Sequence, residues 1–164
     1  MSIYRDDRGS ALVETAMVSV FLLAMVLGVV EFGNALSTEH TLTGLSREGA
    51  NLAARGADLD ESVDAVLVNG IDVGLSARGG VIGSRLVVQG RSPRIVEQVA
   101  SPGYDGHSHL GREGDRVKGL HDWGLMNGQT IYVMEVFLDY DEMTPFGSLV
   151  HVAVPSVLYE RAVF

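Results

Sequence analysis

From Ala11 to Val30 the chain reads ALVETAMVSVFLLAMVLGVV, twenty residues with a single charge, Glu14. A helix rises about 1.5 Å per residue, so the run covers about 30 Å, the thickness of a bilayer's hydrocarbon core. A fold must either bury such a stretch or give it to lipid. A helix that is apolar on every side is buried only in the core of a large protein, and 164 residues make one ordinary domain. A cleaved secretory signal is a second reading, since Gly33-Asn34-Ala35 offers small residues at the two positions such a site needs. Against it, Asp6 and Asp7 cancel Arg5 and Arg8 where a positive region is required, and Glu14 lies inside the segment. These residues favour a retained transmembrane anchor. Arg5 and Arg8 precede the span and the next Lys or Arg is Arg47. Basic residues stay cytoplasmic, which places the N-terminus inside and the remainder outside.

The rest of the composition closes off several functions. Hydrophobic residues make up 46% of the chain and charged ones 20%, which excludes a disordered polypeptide. A formal net charge of -9 argues against nucleic acid as a partner, because that partner requires a basic footprint. The absence of cysteine removes thiol catalysis, cysteine-ligated zinc, iron–sulfur clusters and disulfides.

Glu14 is the most informative residue. A carboxylate within an apolar span is expensive and asks for a cation. Just upstream stands Arg8-Gly9, then Ser10-Ala11-Leu12-Val13-Glu14. Cleavage after Gly9 would create an α-amino group at Ser10, and the amine of one copy could pair with Glu14 of a neighbour in lipid. This arrangement resembles the signal of type IV pilins: a short charged leader ending in Gly, then Glu at the fifth mature position of an apolar helix. Within that superfamily, Arg8-Gly-Ser-Ala-Leu-Val-Glu-Thr-Ala-Met17, continuing to Gly28-Val-Val-Glu-Phe-Gly33, is similar to the TadE-like pseudopilins of the tight-adherence (Flp) pilus system. Leu45-Ser-Arg-Glu-Gly-Ala-Asn-Leu-Ala-Ala-Arg-Gly56 resembles their amphipathic continuation. Val136 to Phe146, with its Thr-Pro, resembles their strand ending in a Thr-Pro-hydrophobic sequence. Thr15 stands where major pilins of this system carry Tyr, which points to a minor subunit.

The resemblance implies a prepilin leader over 1–9, cut between Gly9 and Ser10 by a prepilin peptidase. It implies a transmembrane and assembly helix over 10–33 with Glu14 as its assembly residue, and an amphipathic continuation over 34–56. An exported α+β domain follows over 57–164. The expected partners are the peptidase, other pilins and pseudopilins, the Tad assembly machinery and the bacterial inner membrane. The domain would lie in the periplasm or at the cell surface, or be incorporated in a pilus that serves adhesion. No cofactor and no catalysis are implied.

Local patterns give the same α+β plan, a long helix followed by a small antiparallel sheet. Leu42, Leu45, Leu52 and Ala53 keep helical spacing past the span, and Gly56 is a natural stop. One helix from Ser10 to Arg55 would measure about 69 Å, with a bend expected near Gly44 and Gly49. Small residues at Gly28, Gly33, Gly44 and Gly49 either permit close helix packing in an assembly or are tolerated glycines. Asp58-Leu-Asp-Glu61 resembles a capping box opening a short helix with Val63, Val66 and Leu67 on its apolar face, ended by Asn69-Gly70. Strands are expected over Gly80–Val88, Arg94–Val99, Gln129–Tyr140 and Leu149–Val163. In the third, Tyr132, Met134, Val136, Leu138 and Tyr140 alternate onto one face, opposite Glu135 and Asp139. Val150, Val152 and Val154 alternate likewise before Pro155, where a break is expected.

Residues 101–128, with seven glycines and three histidines, read as a long polar loop. Its Asp105, His107, His109, Asp115, His121 and Asp122 match no fixed metal spacing, and Asp139, Asp141 and Glu142 lack an EF-hand frame. No nucleophile elbow, phosphate-binding loop or metalloprotease motif occurs. The alternatives to a pilus component are a single-pass anchored periplasmic binding or sensor module and an exported protein released after Ala35.

Overall fold

The computed structural model describes residues 7–90, 92–117, 125–144 and 155–164. Its elements are α1 (Asp7–Ala54), α2 (Leu59–Asn69), a 3-10 turn (Ile71–Val73), α3 (Leu75–Arg78), β1 (Gly79–Gln89), β2 (Ser92–Ala100), β3 (Thr130–Asp139) and β4 (Val157–Val163). Arg5, Asp6, His121, Asp122 and Val150, Val152 and Val154 lie outside the described residues. The expected long helix and antiparallel sheet are both present, in an α+β layout. The chain divides into two compact units. One holds residues 1–36 and 141–155, the other 37–140 and 156–164.

In the first unit, α1 leaves most of its apolar side chains exposed. No residue in its most apolar stretch, whose mean hydropathy is 2.3, is buried. Thr15 donates to the Ala11 carbonyl and Ser19 to the Thr15 carbonyl, both at 2.8 Å. Bonding back to the preceding turn satisfies these hydroxyls without water, as a hydrocarbon environment requires.

The second unit is built on a sheet of order β2-β1-β3-β4, antiparallel throughout. α2 and the last turns of α1 cover one face, burying Leu42, Leu45, Ala50, Ala53, Leu59, Val63 and Val66. Gly49 lets this layer close: a Cβ there would collide with the Val66 side chain and lie 3.0 Å from Met134 Cε. α1 ends in a Schellman motif. The Ala57 N–H reaches the Leu52 carbonyl at 3.2 Å and the Gly56 N–H the Ala53 carbonyl at 3.1 Å, with Gly56 at φ +100. Asp58 precedes α2 as expected, yet its side chain caps nothing, so the capping-box reading is corrected. Leu67 is only half-buried, while Leu59 and Ser62 join the buried face.

The other face of the sheet is covered as well, which alternation did not anticipate. Residues 101–117 fold across it, and their Leu110 and Val117 enter a core with Leu86, Val88, Ile95, Ile131 and Val133. The expected polar loop is therefore in part a third layer. Tyr104 stacks on Phe137 with ring centroids 5.5 Å apart, over Gly80, where a Cβ would run into the Tyr104 ring. Covered on both sides, β3 buries every residue from Val133 to Leu138, including Glu135, which is fully buried rather than solvent-facing.

The outer strands are β2 and β4. Along β2 runs the segment 114–117, with the Ile95 N–H donating to the Asp115 carbonyl at 3.0 Å and the Val117 N–H to the Pro93 carbonyl at 2.9 Å. β4 is seven residues long, begins after Pro155 and carries Glu160 and Arg161.

Candidate functional site

The residues singled out by sequence all lie on α1. Gly9 and Ser10 occupy its first turn and are exposed. The first N–H groups of a helix have no intrahelical acceptor, so opening the chain at this bond sacrifices few hydrogen bonds. Glu14 follows one turn later, exposed, and among the described residues its side chain has no hydrogen bond or ion pair. Around it Leu12, Val13, Met17 and Val18 are each more than half exposed, so the carboxylate sits in an apolar surface without a counter-charge among the described residues. Gly28 and Gly33 have open space where a Cβ would stand. They do not share a face, because five residues at about 100° each turn them about 140° apart. Gly28 is half-buried and Gly33 exposed. Gly44 is likewise open, whereas Gly49 is used for packing within the chain.

A second glutamate on the same helix behaves in the opposite way. Glu31, 1% exposed, accepts the Met143 N–H on Oε1 at 3.1 Å and the Thr144 N–H on Oε2 at 2.8 Å. Two consecutive backbone donors thus hold one carboxylate, and hydrogen bonds to a charged acceptor are the stronger kind. Glu31 of the Gly-x-x-Glu-x-Gly sequence and Thr144, far apart in the chain, meet here. Sequence reasoning counted Glu31 in the Gly28–Gly33 resemblance but gave it no partner. Its signal was available: a lone acid directly after an apolar run needs a partner.

Glu135 is the other buried carboxylate, and it organises the aromatic layer under residues 101–117. Its Oε1 accepts the Tyr159 hydroxyl at 2.8 Å and the His109 N–H at 3.0 Å. Its Oε2 accepts the Ser108 hydroxyl, and Ser108 Oγ in turn accepts the Leu110 N–H at 3.1 Å. The His109 ring lies against Tyr159 and Phe137, with centroids at 4.3 and 5.3 Å. Burial pushes the Tyr159 hydroxyl well above its usual range, and the bond to Glu135 adds to that. Tyr104 is raised too, by burial first and then by the charges of Asp139 and Glu135. With its oxygens occupied by donors of its own fold, Glu135 acts as a structural tie. Among the described residues no three His, Asp or Glu side chains gather as a metal site.

Residues 9–51 match the family model of the TadE-like proteins. The match begins at Gly9 and ends within α1, about a quarter of the chain, and leaves the sheet uncovered. No curated protein and no solved structure matches the chain. The family is one of pilus-associated structural proteins, and no positive sign of catalysis accompanies it. Over residues 9–51 the chain is similar to the TadE-like proteins, which supports an association with the Tad/Flp pilus system.

Proposed function

We propose that the chain is a minor pilin or pseudopilin of Tad/Flp pilus biogenesis, cut between Gly9 and Ser10 by a prepilin peptidase. Residues 1–9 are the leader, 10–33 the membrane and assembly helix, 34–56 its amphipathic continuation and 57–164 the exported domain, which serves adhesion. The observation that carries this reading is Glu14, without a partner among the described residues and set on an exposed apolar helix surface. A membrane makes that position costly unless a neighbour supplies a cation. The Ser10 amine of a second processed copy is such a cation. Gly28 and Gly33 leave room for close approach by other helices.

Intact-mass measurement on membrane-extracted protein tests the cleavage. The expected N-terminus is Ser10; Met1 or Ser2 would indicate a simple anchored module, and Leu36 a released protein. Replacing Gly9 with a bulky residue should block processing, and unaltered processing would refute the site. Glu14→Ala should insert into the membrane normally and lose most of its incorporation into pili. Full incorporation would refute the pairing of carboxylate and amine.

A further inference from the structure

One side of α1 is already occupied. Ala24, Leu27, Asn34 and Thr38 are half-buried, and Glu31 and Ala35 are buried. At about 100° per residue these six fall within one third of the helix circumference. On that side the Glu31 carboxylate accepts the Met143 and Thr144 N–H groups. The opposite side is bare. Val29 is 72% exposed, Met25 55%, Leu22 54%, Phe32 47% and Leu36 41%, and Gly33 is exposed among them. Glu14 and Phe32 are about five full turns apart and so share an azimuth, which places the unpartnered carboxylate on the bare side.

We infer that Glu31 is an azimuthal latch: by holding residues 143–144 to its side of α1, it reserves the Glu14–Phe32–Leu36 side as the docking face for α1 of a second copy. The inference rests on the pilin reading and adds to it which face is used and what selects it. The occupant follows from charge. A carboxylate on an apolar face requires a cation at the same depth, and α1 carries its cationic end one turn before Glu14. Another copy of this helix, once cut before Ser10, therefore brings both the apolar surface and the positive charge.

The chain has no cysteine, so single cysteines report contacts without background. Full-length Gly33→Cys, Leu36→Cys and Ala35→Cys variants are oxidised in membranes and their dimer yields compared. Cysteines at 33 and 36 should cross-link at least about fivefold more than at 35, since only the open side approaches a neighbour closely. Adding Glu31→Ala to the Ala35→Cys chain should raise its yield towards that of Leu36→Cys, and Glu31→Gln, which keeps one acceptor, should raise it less. Equal yields at 35 and 36 with Glu31 intact would overturn the latch. So would undiminished hydrogen-exchange protection of the Met143 and Thr144 amides in Glu31→Ala. Absence of dimer at all three positions would overturn the docking face. In that case a mature N-terminus at Ser10 would leave the pilin reading standing, and an unprocessed chain would remove both.

Discussion

Glu135 holds three donors from two separate segments, and its removal would strand all of them. Glu135→Ala leaves the partly buried Tyr159 and Ser108 hydroxyls and the His109 N–H without their acceptor. The expected loss is about 3 kcal/mol of stability, against about 1 kcal/mol for Glu135→Gln, which keeps an acceptor. Urea unfolding followed by circular dichroism measures both, and equal effects would mean the charge is not what the donors require. The tyrosines beside it set an alkaline limit. Tyr159 and Tyr104 both hold their protons above the ordinary value near 10, so the folded chain stays protonated where the unfolded chain has already ionised. Their contribution is complete below about pH 10 and is lost as pH rises toward the folded-state values. Tyr159→Phe should flatten that decline, and an unchanged slope would contradict the assignment. Alternation along β3 assigned Glu135 to solvent because a period of two carries the assumption of one wet face. What covers that face is more than a dozen residues away in sequence, and no local pattern reports it.

Elements were more legible where the chemistry is local. The end of α1 was readable because only glycine tolerates the left-handed turn that Gly56 makes. The short helix was readable from its apolar spacing; its capping box was not, because a suitable residue at the right offset does not oblige its side chain to bond. The glycines of α1 looked alike in sequence and differ in space. Gly44→Ala meets nothing and should stabilise by about 0.5–1 kcal/mol through helix propensity. Gly49→Ala gains the same propensity but drives a Cβ into Val66, and should cost a net 1–2 kcal/mol or so. Thermal melting of the two variants should shift in opposite directions; a shared sign would mean the Gly49 contact relaxes freely.

At the scale of the molecule, the 46% hydrophobic fraction describes two kinds of surface. Leu42 and Leu45 are buried by their own chain, whereas Leu12, Phe21 and Val29 are left for another phase. A chain beginning at Ser37 should therefore disperse without detergent and retain its sheet signal, while the full chain requires detergent; size-exclusion chromatography checks both. Precipitation of the shorter chain would mean that its apolar faces depend on the preceding residues. This division was visible in the apolar run itself, since the energetics of a bilayer depend on length and composition alone.

The guarded margins of the sheet bear on how copies of this chain can polymerise. One outer strand is lined by residues 114–117 of its own chain, and the other is short and carries Glu160 and Arg161. Pairing between sheets of different copies, the route to strand exchange and cross-β fibres, is disfavoured on both sides. Any filament containing this subunit would then grow by helix packing, and its reversibility would follow the solvent around α1 rather than the rupture of a hydrogen-bonded ladder.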